Sequence, residues 1–235
     1  MAGTLYVVAT PIGNLEDVTL RALAVLRAVD RILCEDTRHT ALLLRRYAIQ
    51  KPLVSYHEHN ERRRAEEAVA WLEAGEELAL VSDAGTPTLS DPGYRLVSLA
   101  AERGLRVVPV PGPMAAVAAL SASGLPTDSF TFAGFPPRRA GPRQRWLRQL
   151  AGEPRTVVLY EAPERVARTL AEMRDLFGGE RRAVVARELT KSFEEFRRGS
   201  LDELASALSG ERARGEYVLL VEGAGRRQAA GEGTE

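Results

Sequence analysis

Two short segments concentrate side chains that could do chemistry. CEDTRHT, Cys34 to Thr40, sets Glu35, Asp36, Arg38 and His39 almost side by side. Two acids, an arginine and a histidine in one strand-to-helix loop suggest a charged loop that faces a substrate. VSDAGTPTLSDPG, Val81 to Gly93, carries Asp83 and Asp91 among Gly, Pro, Ser and Thr, with no Lys or Arg. Glycine there lets backbone groups approach a ligand, and proline limits their motion. TPIGN (Thr10–Asn14) and PGPMA (Pro111–Ala115) are loops of the same kind. Neither GxGxxG, GxxxxGK[ST] nor GxSxG occurs, which argues against a dinucleotide fold, a triphosphate site and a serine nucleophile elbow. Polar, braced, acidic loops suit a neutral or cationic ligand with hydrogen-bonding edges. A plainer alternative stays open: Asp36 or Thr37 caps a helix with Arg38 in solvent, and Asp83 is a cap or turn former.

A third segment is basic. Arg138, Arg139, Arg143, Arg145 and Arg148 follow one another with no acid between, beside Phe135 and Trp146. Such a run is commonly a solvated face, but with aromatic neighbours it also suits a phosphate backbone. Only Lys51 and Lys191 are lysines. The single cysteine, Cys34, ends an apolar run and reads as core, and it excludes an internal disulfide. His57 and His59 read as surface residues; no metal site is expected.

The elements that must position these segments alternate. Apolar runs at Leu5–Thr10, Arg31–Cys34, Leu53–Tyr56, Leu78–Val81 and Val107–Val110 read as strands. Helical patterns at Thr19–Ala28, Thr40–Tyr47, Asn60–Ala74, Gly93–Arg103 and Met114–Ser121 separate or follow them, with Asp17 or Thr19 capping the first and Asn60 the third. That order implies an α/β domain with a mostly parallel sheet, whose ligand loops leave the carboxyl ends of the strands. SASGLPT, Ser121 to Thr127, marks a break. Beyond it, strands at Phe130–Phe135, Thr156–Tyr160, Arg182–Arg187, Phe193–Gly199 and Gly215–Glu222 mix with helices at Pro163–Phe177 and Ser200–Leu208. The expected organisation is an N-terminal α/β domain over 1–122, a C-terminal α+β domain over 123–224 and a disordered tail over 225–235. The 32 basic and 32 acidic residues cancel, so non-specific coating of nucleic acid is not expected, while a local basic patch remains open. No apolar run reaches a membrane span and no signal peptide is read, so a cytoplasmic protein is expected.

TPIGNLEDVTLRAL, CEDTRHT, VSDAGTPTLSDPG, VPGP, LSASGLPTDSFTFAGFPPR, YEAPERV and ARELTK, in this order, resemble the small-subunit (16S) ribosomal RNA cytidine 2′-O-methyltransferase family, within the tetrapyrrole methylase superfamily. The likeness runs from about Leu5 to Glu222. It implies a tetrapyrrole methylase-like two-domain fold, a homodimer, S-adenosylmethionine as cofactor, and 16S rRNA within the small ribosomal subunit as partner. The implied cofactor contacts are Pro11, Asp83, Ala84, Gly85, Thr86, Leu89, Met114, Ala115, Tyr160 and Glu161. The family has Ser where this chain has Met114, so this chain offers no hydroxyl there. Candidates for chemistry at the 2′-hydroxyl are Glu35, Asp36, His39 and Lys191, unranked. Arg38, Arg138, Arg139, Arg143 and Arg145 are the expected RNA contacts. Two other readings are kept: methylation of a small tetrapyrrole precursor, and a non-catalytic ribosome-assembly or ligand-sensing protein.

Overall fold

The computed structural model describes residues 1–210 and 212–225. Apart from Gly225, the tail expected to be disordered lies outside the described residues. The chain forms two compact units, Met1–Met114 and the residues from Ala115 onward.

The first unit runs β1 (Thr4–Val8), α1 (Leu20–Ala28), β2 (Arg31–Cys34), α2 (Thr37–Arg46), β3 (Leu53–Ser55), α3 (Glu61–Glu73), β4 (Leu78–Leu80), α4 (Tyr94–Glu102) and β5 (Arg106–Val110). Its five-stranded sheet has the order β3-β2-β4-β1-β5, and every pairing is parallel. Strand β4 is apolar throughout, and β1 and β2 are apolar after their first residues, Thr4 and Arg31, because both faces are covered. Leu23 and Leu26 of α1 and Leu44 of α2 pack with Val8, Ile32, Cys34 and Ala79. Ala65, Val69 and Leu72 of α3 and Leu96 of α4 pack with Leu5, Leu33, Leu78 and Leu80. Burying each such aliphatic side chain contributes about 1.5–3 kcal/mol. Thr19 caps α1, accepting from the Ala22 N–H at 3.0 Å. Asn60 precedes α3 as expected but makes no side-chain cap. Its amide instead ties the preceding loop, accepting from the His57 N–H and donating to the Ser55 carbonyl.

The second unit runs α5 (Ala115–Ser123), β6 (Phe130–Gly134), α6 (Ala140–Ala151), β7 (Thr156–Glu161), α7 (Pro163–Phe177), β8 (Arg182–Arg187), β9 (Glu195–Ser200), α8 (Leu201–Leu208) and β10 (Tyr217–Val221). Its sheet has the order β6-β7-β10-β8-β9; β6 and β7 are parallel and the other pairs antiparallel. Leu147 of α6, Leu170 and Met173 of α7 and Leu204 of α8 cover one face with Leu159, Val185 and Leu219. Helix α5 lies against β7, β8 and β10. Its small apolar residues allow that close approach, and so the boundary falls before α5 rather than after it. Ser200 and Glu203 close a reciprocal capping box on α8.

Among the described residues no helix is long and apolar enough to cross a membrane.

Candidate functional site

The parallel pairing carries the loops after β1, β2, β4 and β5 to one edge of the first sheet. There Thr10 and Gly85 form an isolated antiparallel bridge: the Thr10 N–H donates to the Gly85 carbonyl at 2.8 Å, and the Gly85 N–H to the Thr10 carbonyl at 3.1 Å. The Thr10 hydroxyl also donates to the Ser82 carbonyl at 3.0 Å, and the Thr86 hydroxyl to the Pro113 carbonyl at 3.1 Å. Asp83 joins the second loop, its Oδ1 accepting from the Asp36 N–H at 3.1 Å. Three separate chain segments, at Thr10, Asp36 and Pro113, are therefore tied by hydrogen bonds to Ser82–Thr86.

Geometry permits only a few residue types here. Gly85 has φ +87°, and a Cβ on it would stand 3.4 Å from Ile12 Cγ2 and 3.6 Å from the Pro113 carbonyl oxygen. Gly93 has φ +130°, and its Cβ would stand 2.7 Å from Leu80 Cδ2. Thr88 and Ser90 also hold positive φ, 74° and 66°. Non-glycine residues in that region store strain that the surrounding structure must offset.

The edge is acidic. Burial first, then the neighbouring Glu35 and Asp83 carboxylates, push Asp91 up to about 7, against a hydrogen bond from Ser82. Glu35 is also raised, by burial and then by Asp83 and Glu58. Asp36 is used differently. It caps α2 and holds Arg38 through the backbone N–H at 2.8 Å and the guanidinium at 2.9 Å. The Arg38 hydrogen bonds hold its carboxyl at about 2. Arg38 itself is exposed. A cleft of about 30 Å³, room for a water, brings Pro11, His39, Ser82 and Asp83 together. Ala84 and Leu89 are exposed, and Met114 is half-buried. Burial pushes the Cys34 thiol up to about 11, in keeping with a core residue.

In the second unit, Ala115 opens α5, and the next N–H, of Ala116, donates to the Tyr160 hydroxyl at 3.2 Å. The Tyr160 ring packs against Phe132 and Phe135, at centroid distances of 5.0 and 5.4 Å. Glu161 is nearly inaccessible, and its carboxylate is already engaged. Oε1 accepts from the Ala162 N–H at 2.8 Å and Arg165 at 2.6 Å, and Oε2 from the Thr169 hydroxyl at 2.6 Å. These bonds commit the Glu161 carboxylate within the second unit. The expected RNA contact from Arg143 is corrected. It is 1% exposed and grips Glu172 with two bonds of 2.7 Å, so its guanidinium does not reach solvent for a phosphate. Removing either partner would strand a buried charge, at a cost of about 3–5 kcal/mol. Arg138, Arg139 and Arg145 are exposed. Lys191 Nζ lies 2.9 Å from Glu188 and 3.1 Å from Glu216. Burial opposes its charge, but these two carboxylates outweigh that and raise its pKa.

Sequence reasoning missed Thr10 and Ser82 as the knot between loops, and Arg165 as the partner of Glu161. Thr10, a polar residue closing the apolar run LYVVA, was a visible signal; nothing local marks Arg165 among thirty arginines.

Comparison with known proteins identifies the family. A family profile described as tetrapyrrole (corrin/porphyrin) methylases matches residues 4–205. A Pseudomonas aeruginosa protein named ribosomal RNA small subunit methyltransferase I is 54% identical over 224 residues, covering 94% of this chain and 79% of its own. Proteins of the same name from Xylella fastidiosa and Escherichia coli O157:H7 are 51% and 49% identical, with 97% and 94% of this chain covered and 84% and 78% of theirs. Among solved structures, uroporphyrin-III-C-methyltransferase from Thermus thermophilus aligns with TM-score 0.64 at 23% identity, covering 94% of each chain. The methyltransferase CobJ aligns with TM-score 0.71 at 21% identity, covering 95% of each chain. At those identities the likeness is one of fold.

Proposed function

Since the chain belongs to the tetrapyrrole (corrin/porphyrin) methylases, and among them to the ribosomal RNA small subunit methyltransferase I family, we propose that it transfers a methyl group from S-adenosylmethionine to the ribose 2′-hydroxyl of a cytidine in 16S rRNA. The observation that carries this reading is the identity of about half of all residues with the rRNA methyltransferases over nearly the whole chain. The edge of the first sheet fits the cofactor. Gly85 leaves a space that a Cβ would narrow. The crowded carboxylates Glu35, Asp83 and Asp91 would gain from a nearby cation. The segment Val81–Gly93 supplies no Lys or Arg, as befits a ligand without phosphate. Pro11, Asp83–Thr86, Leu89 and Met114 are the residues proposed to hold it.

When bound, the cofactor supplies an electrophilic methyl group on a cationic sulfur. The chain's task is alignment: its residues would hold the 2′-oxygen at near-attack distance from that methyl group and exclude water. Methylation of the 2′-oxygen would release the hydroxyl proton, and a residue of the chain would have to accept it. Of the candidates, Glu35 suits that proton, because its raised pKa makes it a stronger base than a free carboxylate. Asp36, committed to Arg38, is too weak a base. Lys191, held charged by Glu188 and Glu216, is a poor proton acceptor as well.

The test is direct. The protein is incubated with methyl-labelled S-adenosylmethionine and small subunits lacking the modification, and ribose methylation is mapped. Label on one cytidine 2′-oxygen is expected. Binding of S-adenosylmethionine without transfer to small subunits, free rRNA or a tetrapyrrole would replace the enzymatic reading with a sensing one.

A further inference from the structure

The loop between β6 and α6, GFPPRR, is fastened more firmly than a connection requires. Its backbone is gripped at two points: Arg143 donates to the Arg138 carbonyl at 3.0 Å, and Arg165 donates to the Pro136 carbonyl at 3.3 Å. Both guanidiniums are fixed from behind, Arg143 by Glu172 and Arg165 by Glu161. Glu161 in turn holds Thr169. A guanidinium is a rigid fork, so each bridge transmits orientation and not only charge. Pro136 and Pro137 stiffen the segment further. Buried ion pairs are weak sources of net stability, so stability alone does not account for two of them behind one loop.

What the clamp presents is specific in its chemistry. Phe135 is 51% exposed, with its inner side against Tyr160. Arg138 and Arg139 are exposed and make no ion pair among the described residues, and Arg145 and Arg148 continue the exposed charge along α6. An open aromatic ring beside unneutralised guanidiniums matches an unpaired nucleotide, whose base stacks on the ring while its phosphates meet the charges. Duplex RNA would hide the base.

We propose that Phe135–Arg139 is a single-stranded RNA contact in which Phe135 stacks on a nucleobase, Arg138 and Arg139 meet phosphates, and Arg143 and Arg165 are positioning residues that hold the segment. This rests on the rRNA reading above and names the surface that meets that RNA.

The test uses the full chain, a labelled single-stranded RNA oligonucleotide, and small subunits lacking the ribose methylation. Phe135→Ala is expected to weaken oligonucleotide binding by about ten-fold, and Phe135→Tyr to retain it. Arg138→Gln with Arg139→Gln should make the slope of log affinity against log salt shallower by about 0.7 for each phosphate no longer neutralised. Arg143→Lys keeps the charge but loses the fork; it should raise KM for small subunits and leave kcat unchanged. Arg165→Lys serves the same purpose should the Arg143 variant not fold. Affinity for S-adenosylmethionine and sedimentation should not move. Unchanged oligonucleotide affinity in Phe135→Ala, or an unchanged salt slope in the double variant, overturns the proposal. Loss of cofactor affinity or of self-association in Phe135→Ala would assign the ring to the cofactor or to a second copy, and also overturns it. The two readings fail separately. Wild-type protein that binds the oligonucleotide through Phe135 but methylates no subunit sinks the enzymatic reading alone. Methylation at wild-type KM in every variant sinks the RNA contact alone.

Discussion

At the scale of residues, the acidic edge of the first sheet makes two predictions. If Glu35 accepts the 2′-hydroxyl proton, Glu35→Gln should lower the single-turnover rate by about 10²-fold or more while S-adenosylmethionine affinity changes little. A wild-type rate would leave alignment alone to explain catalysis. Asp91 predicts a dependence of stability on pH. Its folded pKa, about 7, lies above that of an unfolded aspartate because burial and the Glu35 and Asp83 charges favour the neutral acid. Between the unfolded value and about 7 the folded state therefore binds more protons, so stability falls as pH rises through that window and levels off above it. Urea midpoints measured at pH 5 and pH 8 should differ less in Asp91→Asn than in wild type, and equal differences would disprove the assignment. Neighbouring carboxylates differ because of their partners: Asp36 accepts from Arg38, whereas Asp91 faces other acids.

At the scale of elements, the loops are only as well placed as the bonds between them. Gly85→Ala puts a side chain on a φ of +87° beside Ile12 and strains the Thr10 bridge. A loss of about 1–3 kcal/mol in unfolding free energy is expected, with weaker cofactor binding by calorimetry; unchanged values would mean that the loop relaxes freely. These elements were largely legible in the sequence. Strand β2 and helix α7 have the bounds that apolar runs and the Pro163 start implied, because both signals are local. Helix α2 starts at Thr37, earlier than the apolar pattern suggested, because Asp36 supplies the cap. The motif loops were legible as well, since Gly and Pro at strand ends are local signals. The fate of individual charges was not. Arg143 looks like its exposed neighbours in sequence, and only the packing of α6 on α7 buries it against Glu172. Likewise, the Thr10–Gly85 bridge joins residues far apart in the chain, which no local pattern encodes.

At the scale of the whole molecule, charge is balanced but unevenly distributed. The formal net charge is zero with a pI near 6.9, so repulsion between copies is weakest near neutrality. Light scattering against pH should show a solubility minimum close to pH 7 that salt relieves; a flat profile would show that local patches dominate. The strand order β3-β2-β4-β1-β5 has a consequence for synthesis. Strand β1 leaves the ribosome well before both of its neighbours, β4 and β5, and β4 also separates it from β2. The apolar segment LYVV must therefore wait unpaired until residues 78–80 and then 106–110 emerge. Protease pulses on stalled nascent chains should cut near the N-terminus until β5 is exposed and not afterwards. Earlier protection would mean that another surface shelters the strand, a role suited to a chaperone at the tunnel exit.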